Sequence, residues 1–181
     1  DRVVILSENR PEWQIADLAI MSIGGITVPA YTTSTTSDYK HIINHSEARC
    51  IIVSSNDLAL KAIPATLNSK CKNVILIDED KKKFDEPLYF TNWNDLIEQN
   101  NHSTNDNNLE ENIKLQKRTD TACIIYTSGT GGSPKGVMLS HGAMLTNCTG
   151  AQELLKNLIS DLSEIRFLSW LPLSHSYEHT L

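Results

Sequence analysis

The fold of this chain is decided by residues 3–28, which read VVILSENRPEWQIADLAIMSIGGITV. The run begins with apolar and mostly β-branched residues, which is typical of a strand buried on both faces. Pro11 then suits the first turn of a helix. Gly24 and Gly25 end that helix, and Ile26-Thr27-Val28 begins a second strand. The helix between the strands is predicted to present a wide apolar surface made of Trp13, Ile15, Ala16, Leu18, Ala19 and Ile20.

The alternation of strand and helix continues along the chain. Short connections between alternating elements favour parallel strands joined by right-handed crossovers. We therefore predict an α/β fold, a layered and mostly parallel β-sheet with flanking helices. The further elements are helices around Asp38–Asn44 and Asp57–Leu67 and strands at Cys50–Val53, Val74–Ile77 and Thr121–Tyr126.

Three regions are predicted along the sequence. Residues 1–98 form an α/β amino-terminal region, and residues 119–181 hold a phosphate-binding segment and the start of a substrate pocket. Between them, residues 99–118 contain an asparagine-rich stretch with almost no apolar side chains. Such a composition cannot bury enough surface to offset its ordering entropy, so we predict a mobile surface loop there. An ordered insertion that contacts the rest of a longer protein is the alternative.

Composition and charge weigh against some classes of function. The chain has 181 residues and a formal net charge of −6, which gives no reason to expect nucleic acid as a partner. The longest uncharged run, residues 18–37, is broken by glycines and Pro29 and does not read as a membrane span. The cysteines show no metal-ligand spacing, so we predict buried free thiols in a reducing, cytoplasmic compartment. These cysteines are Cys50, Cys71, Cys123 and Cys148.

The residues with chemical potential are concentrated at 126–137, which read YTSGTGGSPKGV and follow a predicted buried strand. Glycines allow positive φ angles and bring backbone N–H groups close to an anion. Serine and threonine hydroxyls add donors, and Lys135 adds a mobile positive charge. Pro134 stiffens the backbone beside that lysine and lowers the entropy lost on ordering. The segment therefore predicts a phosphate-binding loop, followed by a helix with Ser140 as its N-cap.

Other nucleotide-binding motifs do not fit this spacing. A Walker loop requires G-x-x-x-x-G-K-[ST], but Pro134 precedes Lys135 and Gly136 follows it. A dinucleotide fingerprint requires G-x-G-x-x-G, and counting from Gly129 puts Pro134 at the third glycine. No G-x-S-x-G elbow surrounds Ser128. A flexible turn that binds nothing and a phosphate-binding module without catalysis are the alternatives left open.

The segment resembles the signature Y-T-S-G-T-T-G-x-P-K-G-V of the adenylate-forming, or AMP-binding, superfamily. Gly131 stands where a second threonine is usual, which removes a hydroxyl donor but keeps the backbone amide. Residues 6–13 and 24–29 resemble the early region of long-chain fatty acyl-CoA synthetases, and residues 171–179 resemble their pocket segment. The resemblance spans nearly the whole chain. It implies activation of a fatty acid by ATP to an acyl-adenylate and then to acyl-CoA, with a medium-chain or aromatic acid–CoA ligase as the alternative.

The resemblance also implies roles for individual residues, with ATP and coenzyme A as co-substrates and Mg²⁺ as the metal ion. His175 would line the pocket beside the substrate carboxylate. A zinc site at His175, Glu178 and His179 is disfavoured, because the three residues stand close together on a turn and no cysteine accompanies them. Trp13 is expected to pack in the core. The implied phosphate-binding residues are Thr127, Ser128, Gly129, Thr130, Gly131, Gly132, Ser133, Lys135 and Gly136, with Thr130 also near Mg²⁺.

Both ends of the sequence lead us to expect a longer parent protein. Asp1 stands directly before a strand without a starter methionine, and Leu181 directly follows a polar cluster. The parts that the resemblance requires for adenine, ribose and adenylation would then lie beyond Leu181. We therefore expect the isolated chain to be inactive and to self-associate through the face that the parent would cover. The parent is expected to be cytoplasmic and peripherally associated with membranes.

Overall fold

The computed structural model describes residues 1–78, 88–100, 106–127, 133–158 and 168–179. Within these ranges, short apolar runs form most of the strands, and runs with helical spacing form the helices that cover them. The strands are β1 (Arg2–Leu6), β2 (Ile26–Ala30), β3 (Cys50–Val53), β4 (Asn73–Leu76), β5 (Tyr89–Asn92), β6 (Thr121–Thr127) and β7 (Lys135–Ser140). The helices are α1 (Pro11–Ser22), α2 (Thr36–His45), α3 (Asn56–Thr66), α4 (Trp93–Asn100), α5 (Asp106–Leu115), α6 (His141–Leu158) and α7 (Ser176–His179).

All the described strands belong to one sheet, in the order β5-β4-β3-β1-β2-β6-β7. Every neighbouring pair is parallel except β6 and β7, which are antiparallel. The prediction of a mostly parallel α/β sheet is therefore confirmed. β1 lies between β2 and β3. The chain therefore passes from β1 to β2 on one side and then crosses back to β3 on the other side of β1. Ligands of open α/β sheets bind beside such a reversal, at the carboxyl ends of the strands.

The core lies on both faces of the sheet, as the continuous apolar strands predict. Val4 and Leu6 of β1 pack on one face with Val28 and Ile51. Ile5 points to the other face and packs with Trp13 of α1. Because successive side chains of a strand alternate between faces, one five-residue strand contributes to two separate hydrophobic clusters.

Helix α1 buries a narrower stripe than its sequence suggested. Trp13, Ala16 and Ile20 are buried, whereas Ile15 is 53% and Leu18 is 62% exposed. Asp17, a charged residue, is buried instead. The buried positions recur at intervals of three and four residues, so the helix docks on one stripe only and the broader apolar surface is a correction to the prediction.

The asparagine-rich segment contains more regular structure than we predicted. Instead of a loop throughout 99–118, helix α5 forms at Asp106–Leu115, and residues 101–105 lie outside the described residues. Leu109 and Ile113 stand four positions apart, and Lys114 Nζ lies 3.3 Å from Glu110 Oε2. Just after the helix, the Gln116 side chain donates to the backbone oxygens of Met21 and Ser22. The local pairs and this contact with the end of α1 explain why helix forms despite the polar composition.

None of the described helices combines the length and the apolar content needed to cross a lipid bilayer.

Candidate phosphate-binding site

The two ends of the predicted phosphate-binding loop lie in paired strands. Thr127 is the last residue of β6, Lys135 is the first residue of β7, and the two are direct partners in the antiparallel ladder. Our prediction treated residues 126–137 as a loop leading to a helix. This is wrong for residues 126–127, which end β6, and for residues 135–137, which begin β7. Residues 128–132 lie outside the described residues. Ser140 is the N-cap that we predicted, since its Oγ accepts the Ala143 N–H at 3.2 Å.

This pairing places the site at the carboxyl edge of the sheet, which we define as the edge where the parallel strands end. Thr127 lies there because it ends β6, and Lys135 lies there because β7 runs in the opposite direction. Both side chains are exposed to solvent. An exposed cation facing a hydroxyl at this edge can bind an anion without the cost of burying an unpaired charge.

Gly136 allows β7 to lie close to the ring of Tyr126. A Cβ atom at Gly136 would lie 2.8 Å from Ile124 Cγ2 and 3.2 Å from Tyr126 Cζ. The first of these distances is closer than any normal carbon contact, so a side chain at this position would displace one of the two residues. Beside the predicted role as a backbone donor, Gly136 therefore has a steric role.

Two histidines of α2 contact the ends of the loop, and our sequence reasoning had not identified them. His41 Nε2 lies 2.7 Å from the carbonyl oxygen of Pro134. His45 Nδ1 lies 2.8 Å from the hydroxyl of Tyr126. The two imidazoles stack at 5.3 Å, and Tyr126 lies edge-on to both rings. The signal in the sequence was their spacing of four residues, with His41 within the predicted helix Asp38–Asn44 and His45 directly after it.

Burial also sets the ionisation of groups around the site. It raises the pKa of the Tyr126 hydroxyl above the ordinary tyrosine value. It raises the pKa of Cys123 to about 12 and that of Cys71 to about 11, which makes both thiols poor nucleophiles. The prediction of buried cysteines holds for these two, whereas Cys50 in β3 is half-buried and Cys148 on α6 is exposed.

The segment that carries His175 is anchored at the same edge of the sheet. Asn9, which follows β1, donates to the Leu171 oxygen at 2.6 Å and accepts the Leu173 N–H at 2.8 Å. Beside this anchor lies a cavity of about 240 Å³, lined by residues that include Glu8, Thr32 and Trp170. His175 itself is exposed. The structure thus brings the predicted pocket segment to the carboxyl edge, where the two ends of the phosphate-binding loop also lie.

A buried pair fixes the far end of this segment. His179 Nε2 lies 2.9 Å from Asp17 Oδ2, and the two side chains are only 2% and 7% exposed. The His179 ring also contacts Trp13 edge-on at 5.1 Å, and Trp13 packs in the core as predicted. Sequence reasoning had not predicted this pair, which joins residues 162 positions apart.

The described residues also bear on metal ligation. They contain no group of three or more histidine, cysteine, aspartate or glutamate side chains arranged to hold an ion. Thr130, the residue that we associated with Mg²⁺, lies outside them. Mg²⁺ is often bound through substrate phosphates rather than by an all-protein cage, so the exposed side chains of Thr127 and Lys135 are compatible with a metal ion that a phosphate ligand carries.

Comparison with known proteins identifies the family. The family model described as AMP-binding enzyme matches residues 1–181. This chain belongs to the AMP-binding enzyme family. The resemblance that we drew from residues 126–137 is therefore confirmed. In this AMP-binding chain the signature segment begins at the end of β6 and ends in β7, the antiparallel pair at one edge of the sheet.

Two curated relatives of this AMP-binding chain are long-chain-fatty-acid–CoA ligases. The long-chain-fatty-acid–CoA ligase ACSBG2 of Xenopus laevis is 33% identical over 174 residues, which cover 96% of this chain and 23% of that protein. The long-chain-fatty-acid–CoA ligase 5 of Mus musculus is 30% identical over 182 residues, covering 97% of this chain and 26% of that protein. The chain thus spans about a quarter of the length of these curated relatives.

Solved structures support the same fold. A long-chain-fatty-acid–CoA ligase from Archaeoglobus fulgidus matches 99% of this chain and 32% of its own, with a TM-score of 0.67 and 21% identity. At this level of identity the match shows that the fold is shared.

Proposed function

We propose that this chain provides the phosphate-binding part of an ATP-dependent fatty acid–CoA ligase. In the proposed reaction a fatty acid carboxylate attacks the α-phosphorus of ATP, so that an acyl-adenylate forms and pyrophosphate leaves. The thiol of coenzyme A then attacks the acyl carbon, which gives the thioester and releases AMP. The observation that carries the proposal is the pairing of Thr127 with Lys135 at the carboxyl edge of the sheet.

The chemistry explains why such residues are needed. Attack by one anion on another requires that negative charge be offset and that the reacting atoms be aligned. We assign Lys135 and the hydroxyls of Thr127, Ser128, Thr130 and Ser133 to the β- and γ-phosphates. Backbone amides would come from Gly129, Gly131, Gly132 and Gly136. When bound, Mg²⁺ would neutralise phosphate charge, with Thr130 as the nearest hydroxyl.

His175 is assigned to the acyl side of the pocket. Its segment is held by Asn9 at one end and by the His179–Asp17 pair at the other. We propose that His175 lines the pocket beside the fatty acid carboxylate, so its loss should affect the acid more than ATP.

The test is an assay of the protein that carries this sequence, with Mg-ATP, coenzyme A and a panel of long-chain, medium-chain and aromatic acids. Acyl-CoA formation with release of AMP is expected, highest with long-chain acids. Lys135→Ala should lower kcat/KM for ATP by about 10²- to 10³-fold, because one fixed donor to developing charge is lost. Lys117→Ala, the same change in an exposed turn, is the matched control and should not alter it. A normal kcat/KM in Lys135→Ala would contradict the proposal.

A further inference from the structure

Helix α2 holds the strand end that leads into Lys135. His41 Nε2 lies 2.7 Å from the Pro134 carbonyl oxygen. A carbonyl oxygen can only accept a hydrogen bond, so Nε2 must carry the hydrogen and donate it. Because Pro134 immediately precedes Lys135, this bond restrains the backbone from which the lysine side chain extends.

The same helix also holds the strand end that leads into Thr127. One turn after His41, His45 Nδ1 lies 2.8 Å from the Tyr126 hydroxyl, and Tyr126 immediately precedes Thr127. The imidazole planes of the two histidines meet at 25°, so each ring limits the rotation of the other. A single helix face thus contacts both ends of the loop, 93 and 81 residues away in sequence.

Packing buries the Tyr126 ring in the core but leaves one side of the two loop ends open. A cavity of about 240 Å³ borders Tyr126 and Pro134 and is also lined by Tyr31, Ser34 and Asp38. The space beside the two loop ends is therefore partly open, and apolar contact cannot fix them from that side. The two hydrogen bonds are directional and supply the restraint that packing leaves out.

We propose that His41 and His45 are positioning residues for phosphate binding. They hold Pro134 and Tyr126 so that Lys135 and Thr127 face the same anion before it arrives, which reduces the ordering cost of binding. The proposal rests on the proposed function of the loop. It adds to that function two residues that lie outside the sequence signature.

The test measures binding of inorganic triphosphate to this chain by isothermal titration calorimetry, beside its thermal unfolding midpoint. His41→Phe keeps an aromatic ring but removes the donor. We expect it to weaken the affinity by about three- to tenfold and, since the bond is also present in the unliganded chain, to lower the unfolding midpoint by no more than about 4 °C. His41→Gln restores an N–H donor and should recover most of the affinity. Asn44 lies on the same helix between the two histidines, and Asn44→Ala should bind triphosphate as the wild type does.

A double-mutant cycle tests the second contact. Tyr126→Phe and His45→Phe remove opposite partners of one hydrogen bond. Each should weaken triphosphate binding by about two- to threefold, and the double variant by no more than either single variant. Effects that multiply in the double variant would overturn the assignment of this pair.

The outcomes separate this inference from the function beneath it. A wild-type chain that does not bind triphosphate, or a Lys135→Ala variant that binds it equally well, overturns the proposed phosphate-binding function and this inference with it. Normal triphosphate binding by His41→Phe and His45→Phe, with Lys135→Ala impaired, overturns only the inference. If His41→Phe fails to fold, the double-mutant cycle of Tyr126→Phe and His45→Phe decides whether the inference stands, because Tyr126→Phe deletes only one hydroxyl.

Discussion

Two regions of this molecule share one sheet but differ in how they are stabilised. In the core region, residues 1–78, strands β1 to β4 are covered on both faces, and Leu6 is fully buried. In the outer region, residues 135–158, no side chain of residues 135–156 is buried. Met138 there is 70% exposed and Leu154 is 68% exposed. Since Lys135 belongs to the outer region, the candidate anion-binding residue lies where substitutions cost the fold least.

The largest expected effect contrasts two leucines of these regions. Leu6→Ala should lower the free energy of unfolding by about 3 kcal/mol, because it removes buried methyl groups and leaves a cavity. Leu154→Ala, the same chemical change on an exposed helix face, should alter it by less than about 0.5 kcal/mol. Urea denaturation followed by circular dichroism measures both. Equal losses would show that the outer region is part of the folding core.

Gly136 is a position of the outer region where the fold should resist change. Gly136→Ala should cost about 2 kcal/mol of stability and weaken triphosphate binding, because its Cβ would displace Ile124 or Tyr126. Gly150 in α6 is the matched control, since a Cβ there meets nothing within 4 Å. Gly150→Ala should therefore stabilise the chain by about 0.5–1 kcal/mol through helix propensity. The same sign of change at both glycines would contradict the steric role of Gly136.

The buried pair of His179 and Asp17 should act on one segment rather than on the whole core. His179→Ala should speed hydrogen exchange of the Leu173 amide about tenfold, since the segment held by Asn9 loses its second anchor. Exchange of core amides such as that of Val4 is the internal control and should not change. If the Leu173 amide keeps its protection, the pair does not hold the segment.

The smallest expected effect concerns the start of α2, the helix that carries both histidines. Thr35 and Asp38 form a capping box, in which the Thr35 backbone and hydroxyl both donate to the carboxylate. Thr35→Ala should cost about 1 kcal/mol of stability. Loss of the cap at the start of α2 should weaken triphosphate binding only slightly.

The same capping box gives a dependence on pH. The hydrogen bonds from Thr35 lower the pKa of Asp38 below its ordinary value. A lowered folded-state pKa means that the stabilisation is complete above the ordinary carboxylate pKa of about 3.9 and is lost as the pH falls through the folded-state value. The stability difference between wild type and Asp38→Asn should therefore shrink below about pH 4. A constant difference across that range would show that the carboxylate charge does not matter.

Much of the core region could be predicted from the sequence, and the reason is local. Each of its strands is largely an apolar run, and each helix has apolar residues at helical spacing, so periodicity was sufficient. Strand β7 was missed because Lys135-Gly136 at its start lacks the apolar alternation of a strand. Helix α5 was missed because a segment rich in asparagine predicts no helix, and the Gln116 contacts at its carboxyl end connect to residues 94 and 95 positions earlier.

The sequence by itself determined the order of the elements in residues 1–78, the mostly parallel sheet and the family signature at residues 126–137. Each of these follows from sequence patterns that are a few residues long. The tertiary structure alone decided that His41 and His45 meet Pro134 and Tyr126, and that Asp17 meets His179. Local periodicity specifies which residues form an element and which face they share. It carries no information on which polar atoms of distant elements come within hydrogen-bonding distance, because that depends on how the whole sheet packs.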